Sequence, residues 1–142
     1  MIRKFQSNDI DVVMQIWLEG NLKAHSFIAA KYWLDNFVLV KEMLPQAEIY
    51  VFEDATANCL QGFIGLMDNY VAGIFVVEEF RSLGVGSALL DFAKNKKESL
   101  MLKVYQRNIR ARAFYEREGF ETVDIGIDEA TGVSEITMSW HR

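Results

Sequence analysis

The hydrophobic positions of this chain form two kinds of pattern, which predict strands and helices in alternation. Apolar and β-branched residues run through 71–77 and return over 100–105, which is typical of buried strands. Between these two runs, Val85, Leu89 and Phe92 recur every three to four residues and predict a helix with one buried face. A glycine-containing turn at 81–87 therefore joins a strand to a helix.

The same patterns predict the remaining elements. Helical spacing extends from Ile10 to about Gly20 and from Ala30 to Leu44, where Pro45 ends the second helix. A loop is predicted at 21–29, and a short helix is predicted to stop at Gly119. Five more strands are predicted at 1–5, 48–53, 60–67, 120–127 and 133–140, with a polar turn at 54–58. The resulting order, β-αα-β-β-β-α-β-α-β-β, shows no linker or repeat and predicts one domain over residues 1–142.

The composition indicates which binding partners and which cellular location to expect. The 142 residues are 51% hydrophobic and carry a net charge of −5 without a basic block, which argues against nucleic acid as the main partner. No apolar stretch approaches the roughly 20 residues of a membrane span, and no signal peptide is evident, so we expect a cytoplasmic protein without a membrane partner. The single cysteine, Cys59, excludes an internal disulfide framework and is interpreted as a small core residue. His25, His141 and the carboxylates lack metal-ligand spacing, so no metal is expected.

Two motifs carry the candidate chemistry. The turn Arg81-Ser82-Leu83-Gly84-Val85-Gly86-Ser87 precedes a helix, and a helix N-terminus with glycines suits a phosphate, although an ordinary glycine loop is an equally simple interpretation of this motif alone. The second motif follows the strand at 100–105 and runs from Asn108 through Phe114 and Tyr115 to Gly119-Phe120. Together they resemble the GNAT superfamily of acyl-CoA-dependent N-acetyltransferases over residues 72–120. Flanking groups, including Tyr32-Trp33 and Met138-Ser139-Trp140, resemble a small bacterial-type branch in which some members acetylate protein lysines.

The resemblance implies a fold and a cosubstrate. The fold is α/β, with a mixed, mostly antiparallel seven-stranded sheet that is splayed between strands 4 and 5 and flanked by about four helices. Acetyl-CoA would lie in that split, and a primary amine, whether a small molecule, a protein N-terminus or a protein lysine, would attack its thioester directly. The protein would be a monomer or a homodimer. The cofactor-binding residues implied by the motif are Phe75, Val76, Val77, Arg81, Leu83, Gly84, Val85, Gly86, Ser87, Ala88 and Asn108.

The family pattern also implies a proton donor. Tyr115 occupies the position of the tyrosine that protonates the departing CoA thiolate, and a phenol of pKa about 10 is a suitable donor at neutral pH. Outside the motif, Phe114 and Tyr115 would be interpreted as two core aromatics. Asn108 could satisfy either irregular backbone or the cofactor arm.

The proton acceptor is not identified by the motif. An amine of pKa about 10.4 is neutral in only about one molecule in 2,500 at pH 7, so a base or a water path is needed. Lys103 stands where some relatives have a glutamate, five residues before Asn108. In its usual charged form Lys103 cannot serve as the base, which leaves Glu79, Asp68 and Glu78 as candidates, acting through water.

Two residues of the predicted loop at 21–29 are candidates for binding the amine acceptor, and one departure from the family pattern leaves a non-catalytic alternative open. His25 and Phe27 lie in the predicted loop at 21–29, where aromatic faces could receive an ammonium group, so both are candidate substrate-binding residues. Lys103 in place of an acid leaves open an acyl-CoA-binding module without turnover, whereas Tyr115 and the glycine motif favour an enzyme.

Overall fold

In a computed structural model, which describes residues 1–56 and 59–142, the predicted elements form in the predicted order. The turn predicted at 54–58 includes residues 57 and 58, which lie outside the described residues. The helices are α1 (Ile10–Ala24), α2 (Ala30–Met43), α3 (Val85–Lys96) and α4 (Ile109–Arg117). The strands are β1 (Ile2–Lys4), β2 (Glu48–Asp54), β3 (Cys59–Met67), β4 (Tyr70–Val76), β5 (Ser99–Tyr105), β6 (Glu121–Asp128) and β7 (Val133–His141).

The strands form one mixed sheet that opens in its middle. Their spatial order is β1-β2-β3-β4-β5-β7-β6, and the pairing is antiparallel everywhere except between β4 and β5. These two parallel strands share only the pairs Tyr70–Met101 and Val71–Leu102, after which they separate. The mixed seven-stranded sheet and the split between strands 4 and 5 are therefore confirmed.

Helices cover the two faces of the sheet and bury its alternating side chains. Leu89 and Leu90 of α3 pack in a core with Ile64 and Leu102, whereas the other core contains Val13 of α1. Neighbouring residues of one strand point to opposite faces, so Tyr50 of β2 lies in the first core while Ile49 and Val51 lie in the second. Helix α1 and the loop after it thus lie on one face of the sheet, and α3 and α4 lie on the other face.

Two details of the sequence interpretation were wrong. Helix α1 does not end at Gly20 but continues to Ala24. A Cβ at Gly20 would lie only 3.0 Å from the Phe75 ring, so this glycine permits close packing of the helix. Cys59 is exposed at the first residue of β3 and is not part of the core. No helix in the described ranges is long and apolar enough to cross a membrane.

Candidate active site

A cavity of about 990 Å³ lies between the diverging ends of β4 and β5. Its wall is completed by the turn before α3, by α4, and by the end of α1, so it connects the two faces of the sheet. Nine of the predicted site residues line it: His25, Phe75, Val76, Arg81, Gly84, Gly86, Ser87, Asn108 and Tyr115. The other five do not: Phe27, Val77, Leu83, Val85 and Ala88. The sequence motifs therefore converge on one cavity.

The start of α3 offers free amide groups to this cavity. The turn before it reverses through two left-handed residues, Ser82 with φ of 66° and Gly84 with φ of 87°. The first helical hydrogen bond joins the Ala88 N–H to the Gly84 carbonyl at 2.9 Å, so the N–H groups of 84–87 have no acceptor among the described residues. These amides and the helix dipole form an environment that favours an anion.

The edge of β4 also offers amide groups to the split. Val77 donates its N–H to the Gln61 carbonyl at 2.9 Å, so this amide is not available to a ligand. Because hydrogen-bonded and non-hydrogen-bonded positions alternate in antiparallel pairs, the N–H of Val76 points away from β3 and into the split. In the same alternation the N–H of Phe75 points toward β3, and the residue lines the cavity.

Tyr115 reaches the cavity from α4 and is otherwise enclosed. Its residue is only 8% exposed, and its ring packs against Phe114 and Phe120 with centroids 5.2 and 5.6 Å away. Burial, with a smaller contribution from Tyr70, raises the pKa of the Tyr115 hydroxyl above its ordinary value. Within the described part of the chain this hydroxyl has no hydrogen-bond partner, so it remains protonated and free to act on a ligand.

A polar chain connects the acceptor loop to the start of α4. Asn108 caps α4 by accepting the Ala111 N–H on Oδ1 at 3.2 Å, so its Nδ2 faces His25 Nε2, 3.2 Å away. On the other side, His25 Nδ1 lies 3.1 Å from Oδ1 of Asn21, whose Nδ2 donates to the Trp17 carbonyl at 3.0 Å. Because the Asn108 amide donates and the Asn21 oxygen accepts, His25 is neutral and carries its proton on Nδ1. Of the two roles open to Asn108, the structure shows the backbone one.

Aromatic rings surround this histidine. His25 stacks on Trp33 at 5.3 Å and meets the Tyr105 ring edge-on at 5.0 Å. Burial among them lowers the pKa of His25 to about 4. Phe27 lies just outside the cavity wall, 5.8 Å from Tyr105, and its ring is covered by the Arg107 guanidinium at 4.9 Å. His25 is thus a structural link as well as part of the wall.

The carboxylates of the cavity differ from those expected. Glu79, Asp68 and Glu78 do not line it, and Glu78 is bound to Lys23 at the surface. The wall instead contains Asp128 and Glu135, from the end of β6 and the start of β7, and Glu118 just after α4, which accepts the Ser87 hydroxyl at 3.2 Å. None of the three was predicted from the sequence, because the last hairpin lies outside the motif and Glu118 is at one of the motif's unspecified positions.

Other cavity residues were also not anticipated from the sequence. They are Asn21, Tyr70, Tyr105 and Trp33, whose buried indole N–H has no partner among the described residues. The described residues contain no group of three or more histidines, cysteines or carboxylates that could hold a metal ion.

Comparisons with known proteins match this architecture. The chain is 34% identical to the peptidyl-lysine N-acetyltransferase YiaC of Escherichia coli over 99% of its length and 96% of the relative. It is 27% identical to the peptidyl-lysine N-acetyltransferase YjaB of the same species, over 84% of this chain and 81% of that one. The solution structure of apo YjaB from E. coli superimposes with a TM-score of 0.88 at 23% identity, covering 99% and 96% of the two chains.

A further solved structure is relevant to the cosubstrate. An acetyltransferase from Bacillus anthracis, solved in complex with acetyl coenzyme A, is 27% identical with a TM-score of 0.59 and covers 68% of this chain and 62% of its own. The family model described as an acetyltransferase (GNAT) domain matches residues 45–122, from just after α2 to the start of β6. This chain belongs to the GNAT family of acetyltransferases and is an acyltransferase enzyme.

Proposed function

We propose that this enzyme transfers the acetyl group of acetyl-CoA to a primary amine, and that the acceptor is the ε-amine of a protein lysine. The observation that carries the proposal is the single cavity in which the free amides before α3, the split between β4 and β5, and Tyr115 meet. An elongated thioester with a diphosphate needs these three features along one channel.

The cosubstrate fits the described groups by charge and by hydrogen bonding. The free N–H groups at 84–87 are donors suited to a pyrophosphate, and Arg81 adds a positive charge to the same wall. The cysteamine and pantothenate amides of the cofactor arm suit the unpaired strand edges of the split. A relative solved with acetyl coenzyme A supports this assignment.

The chemistry uses two groups of the chain. As the amine attacks the thioester carbonyl, negative charge develops on the carbonyl oxygen, and the Val76 N–H is a backbone donor at the end of β4 that points into the split. When the carbon–sulfur bond breaks, Tyr115 gives its proton to the CoA thiolate. Its raised pKa keeps the proton on the hydroxyl at neutral pH, and the tyrosinate that forms is basic enough to be re-protonated by the new ammonium or by solvent.

The amine reaches the thioester from the side of the sheet that carries the α1–α2 loop. His25 and Phe27 belong to this loop, and their rings, with Tyr105, form an aromatic surface beside the cavity. Such a surface suits the alkyl stem and the ammonium of lysine. Two relatives named as peptidyl-lysine N-acetyltransferases support lysine as the acceptor.

The test is an activity assay with a matched acceptor. The enzyme is incubated with acetyl-CoA and an N-terminally blocked peptide that contains one lysine, and with the same peptide carrying arginine. We expect CoA release and an acetyl mass increase with the lysine peptide only. Binding of acetyl-CoA without transfer to this peptide or to a panel of small amines would instead favour the non-catalytic module.

A further inference from the structure

We infer that Glu135 is the catalytic base of this enzyme, the group that removes the proton from the incoming ammonium. This inference rests on the proposed function and adds to it the residue for which the sequence motif gave no candidate. In some relatives the catalytic base is a glutamate on β5, whereas here we assign it to a residue of β7.

The strand register brings Glu135 beside the position at which those relatives have a glutamate. On β5 that position is Lys103, and β7 runs antiparallel to β5 with Thr137 opposite Lys103 and Glu135 opposite Tyr105. Residues two apart on a strand share a face, so Glu135 lies on the same face as Lys103 and Tyr105. Its carboxylate Oε1 is 4.0 Å from the Lys103 ammonium nitrogen, and both residues line the cavity. A carboxylate thus lies one strand away from the position at which those relatives have a glutamate.

Among the described residues, three carboxylates line the cavity. Glu118 accepts the Ser87 hydroxyl at 3.2 Å beside the start of α3, and of the two carboxylates on β6 and β7 Glu135 is the one available for proton transfer. Asp128 accepts the Tyr105 hydroxyl at 2.6 Å and the Ala130 N–H at 3.0 Å. Although burial opposes it, these hydrogen bonds hold the pKa of Asp128 below its ordinary value, so Asp128 is a poor base. Glu135 has no such hydrogen bond to any described residue; its contact with Lys103 is a long one, and the Lys103 side chain is 52% exposed. The side chain of Glu135 itself is only 19% exposed.

The surroundings of Glu135 favour a stronger base. Burial and then the charge of Asp128 raise its pKa, while Lys103 opposes them. A carboxylate with a raised pKa binds the ammonium proton more readily at neutral pH. Three tyrosines are the other titratable groups near it: Tyr105, directly opposite on β5, Tyr70 of β4 and Tyr32 of α2. Burial and then the charges of the two carboxylates raise the pKa values of Tyr70 and Tyr32.

Tyr70 also relates this carboxylate to the proton donor. After burial, the charges of Glu135 and Asp128 raise the pKa of the Tyr70 phenol. Tyr70 contributes in turn to the raised pKa of Tyr115. The base, the acid and Tyr70 thus line one cavity, and Tyr70 interacts electrostatically with both.

Glu135 and Tyr115 together account for every proton transferred in the reaction. The ammonium gives one proton to the Glu135 carboxylate, and the free amine forms the carbon–nitrogen bond with the thioester carbonyl. The carbon–sulfur bond then breaks, and the thiolate takes the Tyr115 proton. The second proton of the attacking nitrogen returns to the Tyr115 oxygen, and Glu135 releases its proton to solvent, so one proton is produced for each amide formed.

The experiment compares Glu135→Gln with the control Glu129→Gln, which makes the same change at an exposed position of the β6–β7 connection. The acceptors are the blocked lysine peptide and its thialysine analogue, whose sulfur atom makes the amine less basic. We expect Glu135→Gln to lower kcat/KM for the lysine peptide by about 10²- to 10⁴-fold, the range for one acid–base group. The loss should be smaller for the thialysine peptide, and Glu129→Gln should match the parent enzyme.

Three further readouts distinguish a catalytic base from a purely structural or acceptor-binding role of Glu135. Calorimetric affinity for acetyl-CoA should be unchanged in Glu135→Gln, which also shows that the variant is folded. Glu135→Asp should retain a measurable rate and the ascending limb of the pH–rate profile, whereas Glu135→Gln should lose that limb. Parent-like turnover of Glu135→Gln, or an equal loss for both peptides expressed only in the acceptor KM, would overturn the assignment. Failure of the parent itself to acetylate any amine would refute the proposed function instead.

Discussion

Protonation of His25 should weaken the link between the α1–α2 loop and α4, and the size of this effect follows from the structure. In the folded protein, burial lowers the pKa of His25 from 6.5 to about 4. Its two ring nitrogens are engaged by Asn21 and Asn108 in an arrangement that requires the neutral ring. The unfolded chain therefore binds the proton first as the pH falls, and the folded state loses stability.

The sign and size follow from proton linkage. Above about pH 6.5 His25 is neutral in both states and contributes no pH dependence, whereas between pH 6.5 and about 4 the unfolded state holds up to one more proton. Each pH unit in that window costs up to about 1.4 kcal/mol of unfolding free energy. Between pH 7 and pH 5 the histidine should thus remove about 2 kcal/mol, and the loss should level off below about pH 4.

Urea unfolding from pH 5 to pH 8 measures this contribution. Carboxylates also titrate at the acidic end, so the informative quantity is the difference between the parent and His25→Gln. His141→Gln is the matched control, because His141 is the only other histidine and is exposed on β7. We expect His25→Gln to lose less stability between pH 7 and pH 5 than the parent and the control do, by about 2 kcal/mol. Parallel curves for all three proteins would refute the polar chain as described.

The remaining predictions concern the two ligands. Gly86→Glu should weaken acetyl-CoA binding by about tenfold or more, because it adds a negative charge beside the free amides of 84–87, while Gly126→Glu at an open position on β6 should leave the calorimetric affinity unchanged. Phe27→Ala should raise the acceptor KM by about two- to fivefold, the value of one cation–π contact, without changing acetyl-CoA affinity. If Phe27→Ala instead weakened acetyl-CoA and spared the amine, the acceptor could not lie on this side of the sheet.

The fold could be predicted because its determinants are local. Hydrophobic runs, helical spacing and glycines identified each strand and helix to within a few residues, and the family motif supplied their arrangement. The error at Gly20 has a tertiary cause: the missing side chain makes room for Phe75, which is 55 positions later in the chain. A helix stop and a packing glycine look the same in a sequence.

The part of the site that could be predicted is the part formed by contiguous stretches of the sequence. The turn at 81–87 and the position of Tyr115 follow from a contiguous motif, and both line the cavity. The contact between His25 and Asn108 joins residues 83 positions apart, and that between Lys103 and Glu135 depends on strand register. No local pattern records such pairs, which is why the acceptor side of the cavity needed the structure.

The most direct test of the proposed mechanism is the turnover number of Tyr115→Phe with acetyl-CoA and the lysine peptide. The substitution removes a hydroxyl that has no partner among the described residues and keeps a ring that packs against Phe114 and Phe120, so folding and acetyl-CoA affinity should be preserved. The mechanism predicts a loss of about 10- to 10⁴-fold in kcat, because the thiolate would leave without its proton donor. Turnover at the parent rate would contradict the mechanism and would mean that water protonates the thiolate.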